Sequence, residues 1–129
     1  MRVAGWLRAL GAAALTALAG CALGRADFVQ LNPGTSYPAR ARGAPVVLTV
    51  GDWDQPYEEL GVVHVSGFVR TGHAALNDKL RAKAREAGAD AVIYLRYGTE
   101  NVMSFLAVVV AIPWDVVTAE GLAVRSKRR

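Results

Sequence analysis

The spacing of apolar residues changes along the chain, and each change predicts a different element. Residues 46–50 form a short apolar run that predicts a first strand, and Gly51 and Asp52 end it. Residues 57–66 then alternate between two faces, which predicts a second strand. One face of that strand carries Leu60, Val62, His64 and Ser66, and the other carries Val63 and Val65. We expect the face with Val63 and Val65 to be the drier one.

From Ala74 onwards the apolar spacing becomes helical. The apolar positions are Leu76, Leu80, Ala84 and Ala87, and charged residues lie between them. This pattern predicts one amphipathic helix whose apolar stripe packs on the sheet. Gly88 predicts the end of the helix, because glycine adopts the left-handed conformation that stops many helices without a Cβ penalty.

The chain after the helix predicts further strands. Residues 90–97 are apolar on both faces, so the order strand, helix, strand predicts a βαβ unit with its two strands parallel. Residues 98–101 are polar and predict a turn. Residues 102–112 are apolar but too few to cross a bilayer as a helix, so they predict a core strand. A last strand over residues 116–125 should bend or bulge at Gly121.

These elements together predict an α+β domain. It is a small βαβ-containing domain with one main helix packed on a mixed sheet of four or five strands. Its bounds are residues 46–125, and a basic tail follows at residues 126–129. Residues 21–45 are rich in glycine and proline without a sustained period, which predicts a flexible tether.

The N-terminal residues divide into three zones of different chemistry. Arg2 and Arg8 are positively charged, residues 9–18 are an apolar core shorter than a spanning helix, and small residues precede the single cysteine, Cys21. The run Leu-Ala-Gly-Cys at residues 18–21 resembles the lipobox of bacterial lipoprotein signals. The resemblance implies cleavage after residue 20, a diacylglyceryl group on the sulfur of Cys21, and stable attachment to a lipid bilayer. A plain secretory signal and an uncleaved anchor are the alternatives.

The residue after Cys21 bears on the destination of such a protein. In diderm bacteria that sort lipoproteins by this residue, aspartate retains them at the inner membrane, and here the residue is Ala22. The resemblance therefore implies an outer-membrane protein facing the periplasm in a diderm cell. In other bacteria it implies the outer leaflet of the cytoplasmic membrane.

Loss of the leader changes the charge balance. Of the 15 Lys and Arg residues, Arg2 and Arg8 leave with it, so 13 remain against 11 Asp and Glu. The mature chain is close to neutral, and no nucleic-acid partner is predicted. One basic cluster remains, formed by Arg125, Lys127, Arg128 and Arg129. A solvated tail is one interpretation of it, and contact with anionic lipid headgroups is the other.

The end of the helix and the strand after it carry a second resemblance. Its residues are Leu80, Arg81, Ala84, Ala87 and the run Gly-Ala-Asp-Ala-Val-Ile at residues 88–93. They are similar to small envelope proteins of the YbjQ-like or heavy-metal-binding-domain group, and more distantly to the Rcs-type stress-sensing lipoprotein. The resemblance implies a βαβ-containing small domain that is oligomeric in some relatives. The metal label of the group is not carried over, because no matching ligand motif occurs in this chain.

Residues able to carry chemistry are few. The sequence has no Gly-x-Ser-x-Gly elbow and no glycine-rich phosphate motif, and lipidation would leave no free thiol, so we expect no enzyme and no cofactor. The weak candidates for a metal site are His64 and His73 with the acidic residues Asp52 and Asp54. A half-buried histidine and a solvated acidic loop are the alternatives.

Two tryptophans, Trp53 and Trp114, lie beside acidic or proline-containing segments and are candidates for interaction with a partner. The sequence thus predicts a non-catalytic, membrane-anchored envelope lipoprotein that acts as an interaction or structural domain. Its partner is an envelope protein or a second copy of the chain. The alternative is a periplasmic ligand-binding or metal-binding sensor domain.

Overall fold

The structure, a computed structural model, describes residues 24–68, 71–106 and 110–128, with the backbone alone at residues 102–106 and 110–114. The predicted leader, Cys21 and the side chain of Trp114 lie outside that description. The elements in chain order are β1 (Ala26–Gln30), β2 (Val47–Leu48), β3 (Tyr57–Phe68), α1 (His73–Glu86), β4 (Ala91–Leu106) and β5 (Val110–Ser126).

The strands form one five-stranded sheet in the order β1-β3-β5-β4-β2. Neighbouring strands are antiparallel except β2 and β4, which are parallel. This confirms the predicted α+β fold of one helix on a mixed sheet. β3 and β4 run in the same direction, as a βαβ unit requires, because each is antiparallel to β5. They are not neighbours, however, since β5 lies between them.

Helix α1 packs on one face of the sheet and builds the main core there. Leu76, Leu80 and Ala84 are fully buried in one cluster with strand residues such as Val63 and Val65. The predicted end of the helix is confirmed, since Gly88 has a φ of 81°. A Cβ at that position would also lie 2.7 Å from Cβ of Tyr37, so both conformation and space favour glycine.

The predicted faces of the second strand are wrong at Leu60. This residue is buried with Val63 and Val65, whereas Val62 is exposed on the other face. The cause is a register shift between Glu59 and Gly61 against β5, which moves Leu60 out of simple alternation. The expectation that Val63 and Val65 lie on the drier face is confirmed.

The flexible tether predicted over residues 21–45 is also wrong for most of its length. β1 pairs antiparallel with β3 inside that segment, and Phe28 packs against the main core. Further along, the backbone N–H of Arg40 donates to the carbonyl of Arg85. Nε of Arg40 lies 3.4 Å from Oδ1 of Asp90. Strand β3 and the end of α1, both distant in sequence, therefore hold residues 26–45 in place. Local composition does not reveal these contacts.

The turn predicted at residues 98–101 is strand in the structure, because β4 continues through it to Leu106. Residues 102–112 are accordingly not one core strand. They include parts of two antiparallel strands, with Val102 opposite Trp114 and Leu106 opposite Val110. β5 is continuous through Gly121, and the expected irregularity lies in the neighbouring strand between Ile93 and Arg96.

Candidate functional site

The face of the sheet opposite α1 has no helix over it in the described part of the chain. We call it the open face. Strand register gives it two adjacent rows across β1, β3, β5 and β4. The apolar row is Val29, Val62, Leu122 and Ile93, and the polar row is Asp27, His64, Glu120 and Arg96.

The apolar row changes from buried to exposed across the sheet. Ile93 is fully buried beneath the loop before β3, whereas Val62 is 36% and Val29 64% exposed. Scattered exposed aliphatic residues are ordinary, but a row of them on one uncovered sheet face indicates a contact surface.

Contacts between polar side chains order the polar row. Nη2 of Arg96 donates to Oε1 of Glu120 over 2.8 Å, and Nε2 of His64 lies 3.8 Å from Oε1 of Glu100. Arg25 lies 3.7 Å from Asp27 at the β1 edge. The charged group of the row is an aspartate at the β1 end and an arginine at the β4 end, and each has an oppositely charged neighbour in its own chain.

Two shallow depressions connect the rows. One, of about 460 Å³, lies between Val62 and Leu122 on one side and Tyr94 and Arg96 on the other. The second, of about 280 Å³, lies around His64, Glu100 and Thr118. Both open to solvent along the sheet, which suits contact with another surface better than enclosure of a small molecule.

Asp52 and two tyrosines form a hydrogen-bonded group at one end of the open face. The hydroxyl of Tyr57 donates to Oδ1 of Asp52 over 2.8 Å, and so does the backbone N–H of Trp53. These bonds, with a further one from Tyr94, lower the pKa of Asp52 below its usual value despite some desolvation. The same carboxylate raises the pKa of Tyr57, as do desolvation and Tyr94. Asp52 thus holds the β2–β3 loop in place.

Tyr94 has an unusual backbone conformation in this group. Its φ is 52°, in the left-handed region, at the register shift of β4 opposite Gly121. Large residues seldom adopt this conformation without support from their surroundings. The support here is the hydrogen bond of 3.1 Å from its backbone N–H to the carbonyl of Gly51.

The weak metal candidates are not brought together. His64 lies on the open face, while His73 begins α1 on the opposite face and stacks on Tyr97 at 4.5 Å between ring centroids. Asp52 lies in the loop before β3, where the hydroxyl of Tyr57 and the backbone N–H of Trp53 donate to its carboxylate. Asp54 is exposed in the same loop as Asp52. Across residues 24–68, 71–106 and 110–128 no group of three or more metal-ligating side chains occurs.

The two tryptophan candidates differ in what the structure says of them. Trp53 is half-buried and packs against Ala91, Ile93 and Val124, so it covers one end of the open face. Trp114 lies in β5 opposite Val102, and only its backbone is described. Their role in binding stays a prediction.

Sequence reasoning missed most of the open face. Arg96 and Glu120 were not singled out, although they form its best-defined ion pair. Val29 lay in the supposed tether. The one signal that could have found them is the alternation in β5 of the small residues Ala119, Gly121 and Ala123 with the larger Glu120 and Leu122, which is typical of a strand whose two faces differ.

Comparison with known proteins assigns no family. No protein-family model matches the chain, and no curated protein matches it. One similar crystal structure is a protein of unknown function of the DUF74 family from Pediococcus pentosaceus ATCC 25745. It has a TM-score of 0.46 and 20% identity over 64% of this chain and 98% of that one. Another is the Francisella virulence factor FvfA, with a TM-score of 0.47 and 17% identity over 78% of this chain and 96% of that one. Both likenesses are low, and no function is inferred from them.

In the described ranges, no helix is both long enough and apolar enough to cross a membrane.

Proposed function

We propose that the chain is a non-catalytic envelope lipoprotein, anchored through Cys21, whose domain associates with a second copy of itself through the open face. In a diderm cell it is held at the outer membrane and faces the periplasm. The observation that carries the association is the order of charges along the polar row.

Two features support the anchor. The lipobox-like run ends at Cys21, and β1 begins at Ala26, five residues later. Five extended residues reach at most about 18 Å, so the sheet lies close to the anchor rather than at the end of a long tether.

The polar row is complementary to itself when reversed. A two-fold axis parallel to the strands, between β3 and β5, places Asp27 of one copy over Arg96 of the other. It also places His64 over Glu120. In the apolar row the same axis places Val62 over Leu122, while Ile93 stays covered by the loop of its own copy. Two sheets stacked face to face about 10 Å apart would form a sandwich with its apolar residues inside.

The direction of this axis agrees with a membrane anchor. Because the axis runs along the strands, both copies have their first described residues at the same end of the assembly. Both Cys21 anchors therefore reach one bilayer. An axis across the strands would place the two anchors at opposite ends.

The association is tested with a single introduced cysteine in the lipidated full chain. In the proposed pair, Val62 of the two copies lie about 11 Å apart, from a strand spacing of about 4.8 Å and a sheet spacing of about 10 Å. A bismaleimide of similar reach should therefore link V62C into a product of twice the mass in vesicles. Cys21 is the only native cysteine and would carry lipid, so it should not compete.

The matched control is A82C, on the exposed surface of α1. At the same density in the membrane it should give no such product. Equal linking of V62C and A82C, or linking of V62C in cells to a different protein instead of itself, would contradict the second copy as partner.

A further inference from the structure

The sheet continues beyond its third strand as a ribbon of two strands. The last pair between β3 and β5 is Phe68 with Val116, whereas β4 and β5 stay paired as far as Leu106 and Val110. Residues 102–106 and 110–114 therefore pair with each other and with no third strand in the described chain. We call these two segments the apolar ribbon.

The composition of the apolar ribbon is unlike that of the rest of the sheet. Of its ten residues only Ser104 is polar, and none is charged. Polar residues flank the ribbon only at its base. There, Nδ2 of Asn101 donates to Oδ1 of Asp115 over 2.9 Å. A two-stranded ribbon alone is marginally stable in water, and an apolar one needs a covering surface.

The position of residues 24 and 25 indicates which surface covers the apolar ribbon. Ser66 lies two residues before the end of β3. The backbone N–H of Arg25 donates a hydrogen bond to its hydroxyl oxygen. The backbone N–H of Ser66 donates in turn to the carbonyl of Arg25. Residues 24 and 25 thus lie at the end of the sheet from which the apolar ribbon extends. Three residues span at most about 10 Å, so a bilayer that holds acyl chains on Cys21 is within reach of this end.

We propose that the apolar ribbon lies in the interfacial zone of the bilayer that holds the acyl chains of Cys21, and so fixes the orientation of the domain. This rests on the lipid anchoring proposed above. The acyl chains alone suffice for attachment, so the main effect of the ribbon is on the orientation of the domain relative to the bilayer. Trp114 suits the position, since tryptophan is enriched at membrane interfaces.

The unpaired edges of the ribbon limit its depth. Within the described ranges its outer backbone groups have no third strand to bind, and such groups are not tolerated in the hydrocarbon core. The ribbon therefore stays near the headgroups and does not cross the bilayer. The opposite end of the sheet, where Ser126 pairs with Tyr57, then points away from the membrane. It lies about 30 Å from Ser66 along β3 at about 3.3 Å per residue. The basic tail consequently does not reach the headgroups.

The two tryptophans of the mature chain provide the experiment. Trp114 is in the ribbon, and Trp53 packs near Val124 at the opposite end of the sheet. The processed, lipidated W53F and W114F variants are each reconstituted in phosphatidylcholine vesicles with brominated acyl chains. W53F, which retains Trp114, should have blue-shifted emission and lose most of it to bromine near the headgroup end. W114F, which retains Trp53, should keep its emission.

Each outcome has a distinct meaning. Unquenched Trp114 would overturn the proposal, and so would stronger quenching by bromine deep in the acyl chain than near the headgroups. Quenching of both tryptophans alike would contradict the orientation. F105K should lower the quenching of Trp114 while circular dichroism shows an intact fold. The intact mass of each sample shows separately whether Cys21 is lipidated. Failure of the anchor is therefore distinguished from failure of the ribbon.

Discussion

The hydroxyl of Tyr57 donates a hydrogen bond of 2.8 Å to Oδ1 of Asp52, and each residue shifts the pKa of the other. The pair joins the loop after β2 to the first residue of β3. Because that loop carries Trp53 over Ile93 and Val124, the hydrogen bond helps to keep one end of the open face covered.

This pair predicts a specific pH dependence of stability. The pKa of Asp52 is lowered in the folded protein from an ordinary value of 3.8. A lowered carboxyl pKa contributes stability above the unfolded value, and the contribution is lost as pH falls through the folded value. Y57F should therefore lose stability at neutral pH and show a shallower fall of Tm between about pH 5 and about pH 2. Parallel Tm curves for Y57F and the wild type would contradict the coupling.

Gly121 faces the register shift in β4 and should not tolerate a side chain. A Cβ there would lie 2.5 Å from Cγ1 of Val92 and 3.0 Å from the carbonyl oxygen of Ile93. G121A should lower the free energy of unfolding by about 1–3 kcal/mol, measured by denaturant titration. G51A is the matched control, since nothing lies within 4 Å of its added Cβ, and should change stability little.

Phe28 tests whether β1 belongs to the domain. Its ring lies over Gly61, where an added Cβ would be 2.6 Å from two ring carbons, and it packs against the main core. F28A should cost about 1–3 kcal/mol, less than for a fully buried phenylalanine. L31A, just beyond the strand and 51% exposed, should change stability by at most about 0.5 kcal/mol. If F28A were as stable as the wild type, the result would contradict a structural role of β1 and favour the flexible tether.

The polar row predicts the effect of exchanging charges. D27R and R96D should each weaken cross-linking of V62C, because each places like charges across the proposed interface. The double variant should recover most of it, since the exchanged charges again face each other. Weakening in both single variants without recovery in the double variant would contradict the contact of Asp27 with Arg96 across the interface.

The predictable parts of the fold are those with a local cause. Helical spacing identified Leu76, Leu80 and Ala84 as the buried stripe, and Gly88 marked the helix end. The face of Leu60 was not predictable, because a register shift against a distant strand sets it. The turn at residues 98–101 was wrong because polar composition also suits an exposed stretch of β4.

The open face depends even more on long-range order. His64, Glu120 and Arg96 come from three strands and meet only because β5 lies between β3 and β4. No period within one segment encodes that order. The chemical types could be read from the sequence, but not which of them are neighbours.

The central claim, that Cys21 anchors this domain to a membrane, is tested most directly by the intact mass of the chain purified from the membrane fraction. The account predicts a chain that begins at residue 21 and carries the added mass of acyl chains on its N-terminal peptide. A chain that keeps residues 1–20, or one cut elsewhere with an unmodified Cys21, would contradict it.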